Sequence, residues 1–146
     1  MSAQPPDREP GPAPDLVDTL ARAAFVVTGV LSRVAAEHDL SLTQMRVLGI
    51  LRDRSPRMAE LAAHLGLEKS TTSGLVDRAV RRGLLTRTPS PEDGRAAHVS
   101  LTATGARLAA EGYDQVRTAL LPLAAPLDDG EQEALAALLL RVVDRG

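Results

Sequence analysis

The stretch between residues 58 and 101 constrains the fold more than any other part of this chain. Apolar residues recur at helical spacing over residues 57–65 and again over residues 69–82. Gly66 separates the two runs, and Gly83 follows the second one, where a glycine commonly ends a helix. The pattern therefore predicts two short helices joined by a tight turn.

A β-hairpin is predicted directly after these helices. Residues 84–89 and 95–101 alternate between apolar and polar side chains as strands do, and residues 90–94 between them are rich in proline, glycine and acidic residues. Two short helices followed by a hairpin make a winged helix-turn-helix, whose second helix enters the major groove of DNA. The expected fold class is therefore mainly α with a small β-wing.

Two helices are expected before this unit. The first has Asp15 as its N-cap and extends to about Glu37, because its apolar residues keep to three- and four-residue steps. The second begins in the run Ser41-Leu-Thr, with Thr43 as its cap, and ends before Pro56. Proline disfavours a helical conformation in the residue that precedes it.

Two more helices are expected after the hairpin. Thr102 caps the fifth helix, which is predicted to end at about Leu121 because Pro122 and Pro126 follow. The last helix begins at Asp128, where an acidic residue three positions later completes the pattern of a capping box. Its leucines and valines form an apolar stripe that needs a partner surface.

The predicted elements divide the chain into three parts. Residues 1–14 are a proline-rich tail that we expect to be disordered, and residues 41–101 are the winged helix-turn-helix. Residues 15–40 and 102–146 are predicted to form N- and C-terminal dimerisation helices, within one compact domain overall. Their apolar stripes exceed what a monomer of this length needs, which favours a two-fold interface. The alternative is that these helices fold back on the winged lobe.

The charge is distributed unevenly along the chain, although its net value is only −2. Residues 69–107 carry seven basic and three acidic side chains, whereas residues 108–146 carry three basic and seven acidic ones. The positive field therefore lies on the predicted DNA-reading unit. The chain contains no cysteine, no apolar run of about 18 residues and no signal pattern, so a cytoplasmic protein is expected.

The second helix of the central unit has two distinct faces. Its apolar face, formed by Leu75, Val76, Ala79 and Val80, is expected to pack on the preceding helix. The opposite face carries Lys69, Ser70, Ser73, Gly74, Asp77, Arg78 and Arg81. Small hydroxylated residues let a helix enter the major groove, and the arginines are placed to contact flanking phosphates. Helix capping alone is the simpler role for the serines and threonines.

The turn of the hairpin contains a second candidate DNA contact. Arg95 follows the turn, and an arginine at a hairpin tip fits a narrow minor groove, where the negative potential is strongest. Asp93 is placed to orient its guanidinium through a charge-assisted hydrogen bond. An ordinary solvated turn is the alternative.

Several motifs together resemble the multiple-antibiotic-resistance regulator (MarR) family, over about residues 15–145. They are L-T-Q-M-R-V-L at residues 42–48, E-L-A-A-H-L-G-L at residues 60–67 and S-T-T-S-G-L-V-D-R-A-V-R-R-G-L-L at residues 70–85. The wing sequence P-E-D-G-R-A and L-T-A-T-G at residues 101–105 complete the match.

The resemblance implies a homodimeric transcription regulator, usually a repressor, that binds double-stranded DNA at a pseudo-palindrome. It carries the recognition-helix contacts over to Ser70, Thr72, Ser73 and Arg78. The wing contact carries over to Arg95, with Asp93 as its orienting acid. The chain departs from the family pattern at Gly74, where many members have an arginine, and at Gly94, where a basic residue is frequent.

The resemblance also implies release from DNA by a small phenolic or lipophilic anion. Such an effector binds between the dimerisation region and the winged lobe, which on this chain points to Phe25, His38, Met45, Arg46 and Tyr113. The alternative is that these are plain core or helix-surface residues. No cofactor or metal site is expected, because the three histidines are far apart and no cysteine accompanies them.

Two classes of function compete. The first is a sequence-specific DNA-binding repressor. The second is a helical protein-interaction module that has lost DNA binding, which Gly74, Gly94 and the acidic net charge would favour. An enzyme is not expected, because the sequence has no nucleophile–base set, phosphate-binding loop or metal-ligand spacing.

Overall fold

The computed structural model describes residues 12–90, 92 and 97–144. This part of the chain contains six helices and one two-stranded sheet, in the order α1 (Leu16–Glu37), α2 (Leu42–Leu51), α3 (Met58–Leu65), α4 (Lys69–Arg81), β1 (Leu85–Pro89), β2 (Ala97–Leu101), α5 (Ala103–Ala124) and α6 (Asp129–Val143). The fold class expected from the sequence is confirmed. Most of the expected tail and the tip of the hairpin lie outside the described residues.

Side-chain caps fix the starts of the long helices. The Asp15 carboxylate accepts a hydrogen bond of 2.9 Å from the backbone N–H of Asp18, as the sequence predicted. For α2 the predicted cap, Thr43, is wrong. Ser41 has the extended backbone of a cap and forms a capping box with Gln44, whereas Thr43 already lies in the first helical turn.

The predicted end of α5 is also wrong. The helix continues past Leu121 to Ala124 and includes Pro122 in its last turn. A proline removes one backbone N–H donor, and its ring crowds the carbonyl four residues earlier. Near a helix end this disturbs a single turn. Here the chain leaves the helix through turn hydrogen bonds to the carbonyls of Pro122 and Ala124.

The apolar core lies within the winged lobe. Leu61 and Leu65 of α3 pack with Val76 and Ala79 of α4, together with buried leucines and valines of α2 and the sheet. Gly66 takes the left-handed conformation, with φ of 64°, that the tight turn between α3 and α4 requires. This packing fixes the angle at which α4 is presented on the surface.

The sheet forms the base of the wing. Strands β1 and β2 are antiparallel, with Leu85 opposite Leu101 and Arg87 opposite Val99. The segment before α3 pairs with the other edge of β2, since the Val99 N–H donates to the Pro56 carbonyl at 2.9 Å. The hairpin is thereby attached to the helix-turn-helix along two sides.

The start of α5 rests directly on the backbone that ends α4. The Thr102 hydroxyl donates to the Gly83 carbonyl at 2.6 Å and accepts from the N–H of Gly105 at 3.0 Å. A Cβ atom built on Gly105 would lie 2.0 Å from the Leu84 carbonyl oxygen. Only glycine fits at this junction, which couples α5 rigidly to the winged lobe.

The first and last helices leave apolar side chains uncovered in the single chain. Helix α6 buries none of its residues, and Leu138, Leu140 and Val143 are among its most exposed side chains. On α1, Phe25 is 78% exposed. Folding back on the winged lobe, the alternative to dimerisation, does not cover α6 in this structure, so its apolar face remains available to a partner.

Helix α1 alone among the described helices is long and apolar enough to span a membrane by length and composition. The sequence expectation differed because it counted uninterrupted apolar residues, and α1 includes polar positions such as Thr28, Ser32 and Arg33. An apolar helix face left open in a single chain is also what a dimerisation helix presents.

Candidate functional site

Helix α4 displays a polar, cationic face away from the core. Its inner face is formed by Leu75, Val76 and Ala79, which are buried. Lys69, Ser70, Arg78 and Arg81 of the predicted DNA-contacting face are exposed, as expected. Val80, which the sequence placed on the inner face, is 38% exposed, because it lies at the margin of the apolar stripe.

Thr72 does not belong to this outer face. Its side chain is fully buried, and its hydroxyl donates to the Glu68 carbonyl at 3.0 Å, so the predicted contact of Thr72 with DNA is corrected. The reason is the 100° step of the helix, which turns Thr72 toward Val76 and the core. The hydroxyl is therefore hydrogen-bonded to a backbone carbonyl at the start of α4 and does not face a ligand.

An arginine of the wing that sequence reasoning missed joins β1 to α4. The Nη2 atom of Arg87 lies 2.7 Å from the Oδ1 atom of Asp77 and donates to the Ser73 hydroxyl at 3.3 Å. Asp77 is thereby neutralised on the face that would meet DNA. Alternation along β1 places Arg87 on the same face as the buried Leu85, so the sequence pattern indicated neither its exposure nor the helix residues that it meets.

Gly74 leaves an open space on the same face. A Cβ atom built there meets only the Nη1 atom of Arg78, at 3.7 Å, which is ordinary van der Waals contact. The guanidinium of Arg78 therefore extends back along the helix and lies over Gly74. The two positions form one surface feature, which we call the Gly74–Arg78 platform.

The predicted wing contacts fall outside the described residues. Asp93, Gly94 and Arg95 are all at the undescribed tip of the hairpin. Next to the tip, the Glu92 carboxylate lies 3.6 Å from the guanidinium of Arg57. Both side chains are largely exposed, so this pair contributes little to stability.

A cavity of about 400 Å³ lies between the end of α1, α2 and α5. Its walls are mostly apolar and include Leu31, Leu40, Leu42, Leu48, Leu108 and Val116. This volume is within the range of sites that hold small organic ligands. Among the described residues that line it, none is acidic.

Four of the five predicted effector residues meet at this cavity, namely His38, Met45, Arg46 and Tyr113. Phe25 does not; it lies on the outer surface of α1, nearer the start of the chain, so its predicted place in this site is corrected. The helical spacing of α1 explains the error, since Phe25 is more than three turns before His38.

The polar groups of the cavity are already partly engaged by neighbouring elements. The Nε2–H of His38 donates to the side-chain oxygen of Gln115 on α5, at 2.6 Å. The Arg46 guanidinium donates to the His64 carbonyl at 2.8 Å. Arg52, which the sequence did not single out, stacks on the Tyr113 ring at 3.7 Å from its centre and adds a second cation to the site.

Comparison with known proteins decides the family. The sequence profile of the MarR family matches residues 38–96. The HTH-type transcriptional repressor NicR of Pseudomonas putida is 30% identical over 145 residues, which cover 98% of this chain and 92% of NicR. The chain belongs to the MarR family. The resemblance drawn from the sequence motifs is therefore confirmed.

Solved structures of other MarR-type proteins share the whole fold. MarR from E. coli in its apo form superposes with a TM-score of 0.76 at 24% identity, over 90% of this chain and 98% of that one. The repressor CouR, solved on a 23-mer DNA duplex, gives a TM-score of 0.76 at 27% identity, over 88% and 92%. CouR of Rhodococcus jostii has also been solved with p-coumaroyl-CoA.

Membership of the MarR family settles the class of function. The chain is a DNA-binding transcription regulator and not an enzyme. Within residues 12–90, 92 and 97–144, no three acidic or histidine side chains are grouped closely enough to hold a metal ion.

Proposed function

We propose that this MarR-family protein is a cytoplasmic, homodimeric transcriptional repressor that binds a pseudo-palindromic operator. The exposed apolar faces of α1 and α6 supply the dimer interface, so that the two α4 helices enter successive major grooves. The observation that carries the proposal is the outer face of α4, which is cationic and exposed and has its one carboxylate, Asp77, paired with Arg87.

The contacts with DNA are proposed residue by residue. Lys69, Ser70, Ser73 and Arg78 contact the major groove and its flanking phosphates, since each lies on the outer face of α4. Arg95, oriented by Asp93, contacts the minor groove next to it, as the sequence of the wing predicts.

The cavity is proposed to bind a small phenolic or lipophilic anion that releases the protein from DNA. Its apolar walls suit a hydrophobic body, and Arg46, Arg52 and His38 provide positively charged or hydrogen-bonding groups. None of the lining residues is acidic, although Arg52 is paired at 3.6 Å with Asp53, which lies outside the lining. The complex of CouR with p-coumaroyl-CoA is in keeping with an aromatic acid derivative as effector in a protein of this fold.

The experiment that tests repressor function is a binding titration against the DNA upstream of the protein's own gene. A scrambled duplex of equal composition serves as control, and both are measured over a series of salt concentrations by fluorescence anisotropy. We expect tight binding by two chains per site that weakens steeply with salt, because phosphate contacts release counterions. Equal, weak binding to both duplexes, together with salt-independent binding to a protein partner, would instead establish the interaction module.

A cavity-filling variant tests the effector site separately. Gly49 lines the cavity, and a Cβ built on it meets nothing within 4 Å, so Gly49→Leu fills the cavity without a clash at its Cβ. With benzoate and p-coumarate as probes, we expect release of the wild type from DNA and no release of this variant. Release of both to the same extent would place the effector elsewhere.

A further inference from the structure

Gly74 has no reason to be glycine within the protein itself. Glycine is the least favourable residue after proline in a helix interior, and Gly74 lies in the middle of α4. At Gly105 a Cβ would collide with the backbone, and Gly66 needs a positive φ. At Gly74 neither condition holds, because its conformation is helical and a Cβ would make only ordinary contact. Gly29 and Gly49 are helical glycines with equally open space, so what distinguishes Gly74 is that it lies on the outer face of α4 with the guanidinium of Arg78 next to it.

Arg78 makes use of the space that Gly74 leaves. The two residues are four positions apart and so lie on one face of α4, one turn from each other. Long side chains in helices lean toward the N-terminus, and the Nη1 atom of Arg78 lies 3.7 Å from where a Cβ of Gly74 would be. The guanidinium thus lies closer to the N-terminal end of α4, which is the end proposed to enter the major groove.

The guanidinium of Arg78 also remains available to a ligand. Asp77 is the one acidic residue of α4, and it is held by Arg87 at 2.7 Å. Within the part of the chain that the structure describes, Arg78 forms no ion pair of its own. Its charge is therefore not cancelled on the surface from which it projects.

We propose that the Gly74–Arg78 platform is the specificity-determining element of this protein, and that Arg78 reads one guanine in each operator half-site. An arginine in the major groove donates two hydrogen bonds to the O6 and N7 atoms of guanine, the commonest specific contact there. A glycine beneath it allows the helix backbone to approach the bases closely. This inference rests on the proposed function, because it assumes that α4 lies in a major groove.

The test is selection of bound sequences from a pool of random duplexes, made in parallel with four forms of the full-length protein. These are the wild type, Arg78→Ala, Arg81→Ala and Gly74→Leu. Arg81 is the matched control, since it is an exposed arginine one turn nearer the end of α4. Circular dichroism melting of each variant establishes that it is folded.

We expect the wild type to select a two-fold motif with one invariant guanine in each half-site. Arg78→Ala should lose the preference at that position alone, with a loss of about 5- to 150-fold in affinity for the wild-type site. Gly74→Leu should lose the same preference while remaining folded, because its side chain fills the space that Arg78 needs. Arg81→Ala should weaken binding to all sequences alike and select the unchanged motif.

Two results would overturn the inference, and they are distinguishable. If Arg78→Ala or Gly74→Leu selects the same motif as the wild type, the platform does not read the base, while the protein remains a sequence-specific regulator. If the wild type enriches no motif at all, the proposed function fails, and the assignment of Arg78 fails with it.

Discussion

Replacing Arg87 by methionine separates the electrostatics of DNA binding from the stability of the fold. Arg87 reaches from β1 to Asp77 and Ser73 of α4, and its side chain is 37% exposed while that of Asp77 is 46% exposed. Because solvent screens such a half-exposed pair, its loss should lower the free energy of unfolding by less than about 1 kcal/mol. Methionine keeps the length of the aliphatic stem without the charge.

The expected effect on DNA affinity is larger, because Asp77 is then left as an unpaired negative charge facing the phosphates. Two unit charges about 8 Å apart repel by about 0.5 kcal/mol at the dielectric constant of water and by about 2 kcal/mol at an effective value of 20. Arg87→Met should therefore weaken operator binding by about 2- to 30-fold. Asp77→Asn leaves Arg87 with its charge uncancelled, so its affinity should equal or exceed that of the wild type.

The assay is a double-mutant cycle on operator affinity, read by fluorescence anisotropy at low and high salt, with urea unfolding of each form in parallel. If charge is the cause, the double variant should return to near wild-type affinity, and the defect of Arg87→Met should shrink as salt rises. The reasoning is refuted if Asp77→Asn weakens binding as much as Arg87→Met and the double variant does not recover. That result would mean that the pair acts by holding the wing in place.

The remaining predictions concern the fold and are read from urea unfolding. Gly105→Ala should cost about 3 kcal/mol or more, since its Cβ would meet a backbone oxygen at 2.0 Å, whereas Gly29→Ala, with open space around its Cβ, should not destabilise. Ser41→Ala should cost about 1 kcal/mol through loss of the α2 cap, and an equal cost for Thr43→Ala would show the cap to be misassigned. Arg82→Met should cost about 1 kcal/mol by removing two hydrogen bonds to backbone carbonyls, and no change in the midpoint would show that those bonds do not form in solution.

Local sequence patterns predicted most of the fold because capping residues and glycines mark where its helices begin and end. Asp15 and Asp128 accept hydrogen bonds within their own first turns, and Gly66 and Gly83 take left-handed conformations at helix ends. The sequence assigned the cap of α2 to the wrong residue because Ser41 and Thr43 are both favourable N-cap residues. Only the backbone conformation distinguishes which of the two precedes the helix.

The candidate site was less predictable, because its decisive contacts join residues far apart in the chain. The helical period places Thr72 on the same face as Val76, four residues later, and therefore predicts that it is buried, as the structure shows. Its assignment to DNA came from the resemblance to the MarR family and not from the helical period. By contrast, nothing in the local sequence joins Arg87 to Asp77, or Arg52 to the Tyr113 ring. Such pairs follow from how β1 and α5 pack, which composition and periodicity do not specify.

Two arginines connect the cavity with α3 and α4, and they give the proposed release a route through direct contacts. Arg46 lines the cavity and binds the carbonyl of His64 in the last turn of α3. Arg82, which follows α4, binds the carbonyls of Asp39 at 2.9 Å and of His38 at 3.3 Å, and His38 lines the same cavity. All three hydrogen bonds end on backbone carbonyls, so a ligand that displaced His38 or Arg46 would pull on the end of α4 or of α3. Because α4 must fit a groove to within a hydrogen-bond length, even a small displacement there opposes DNA binding.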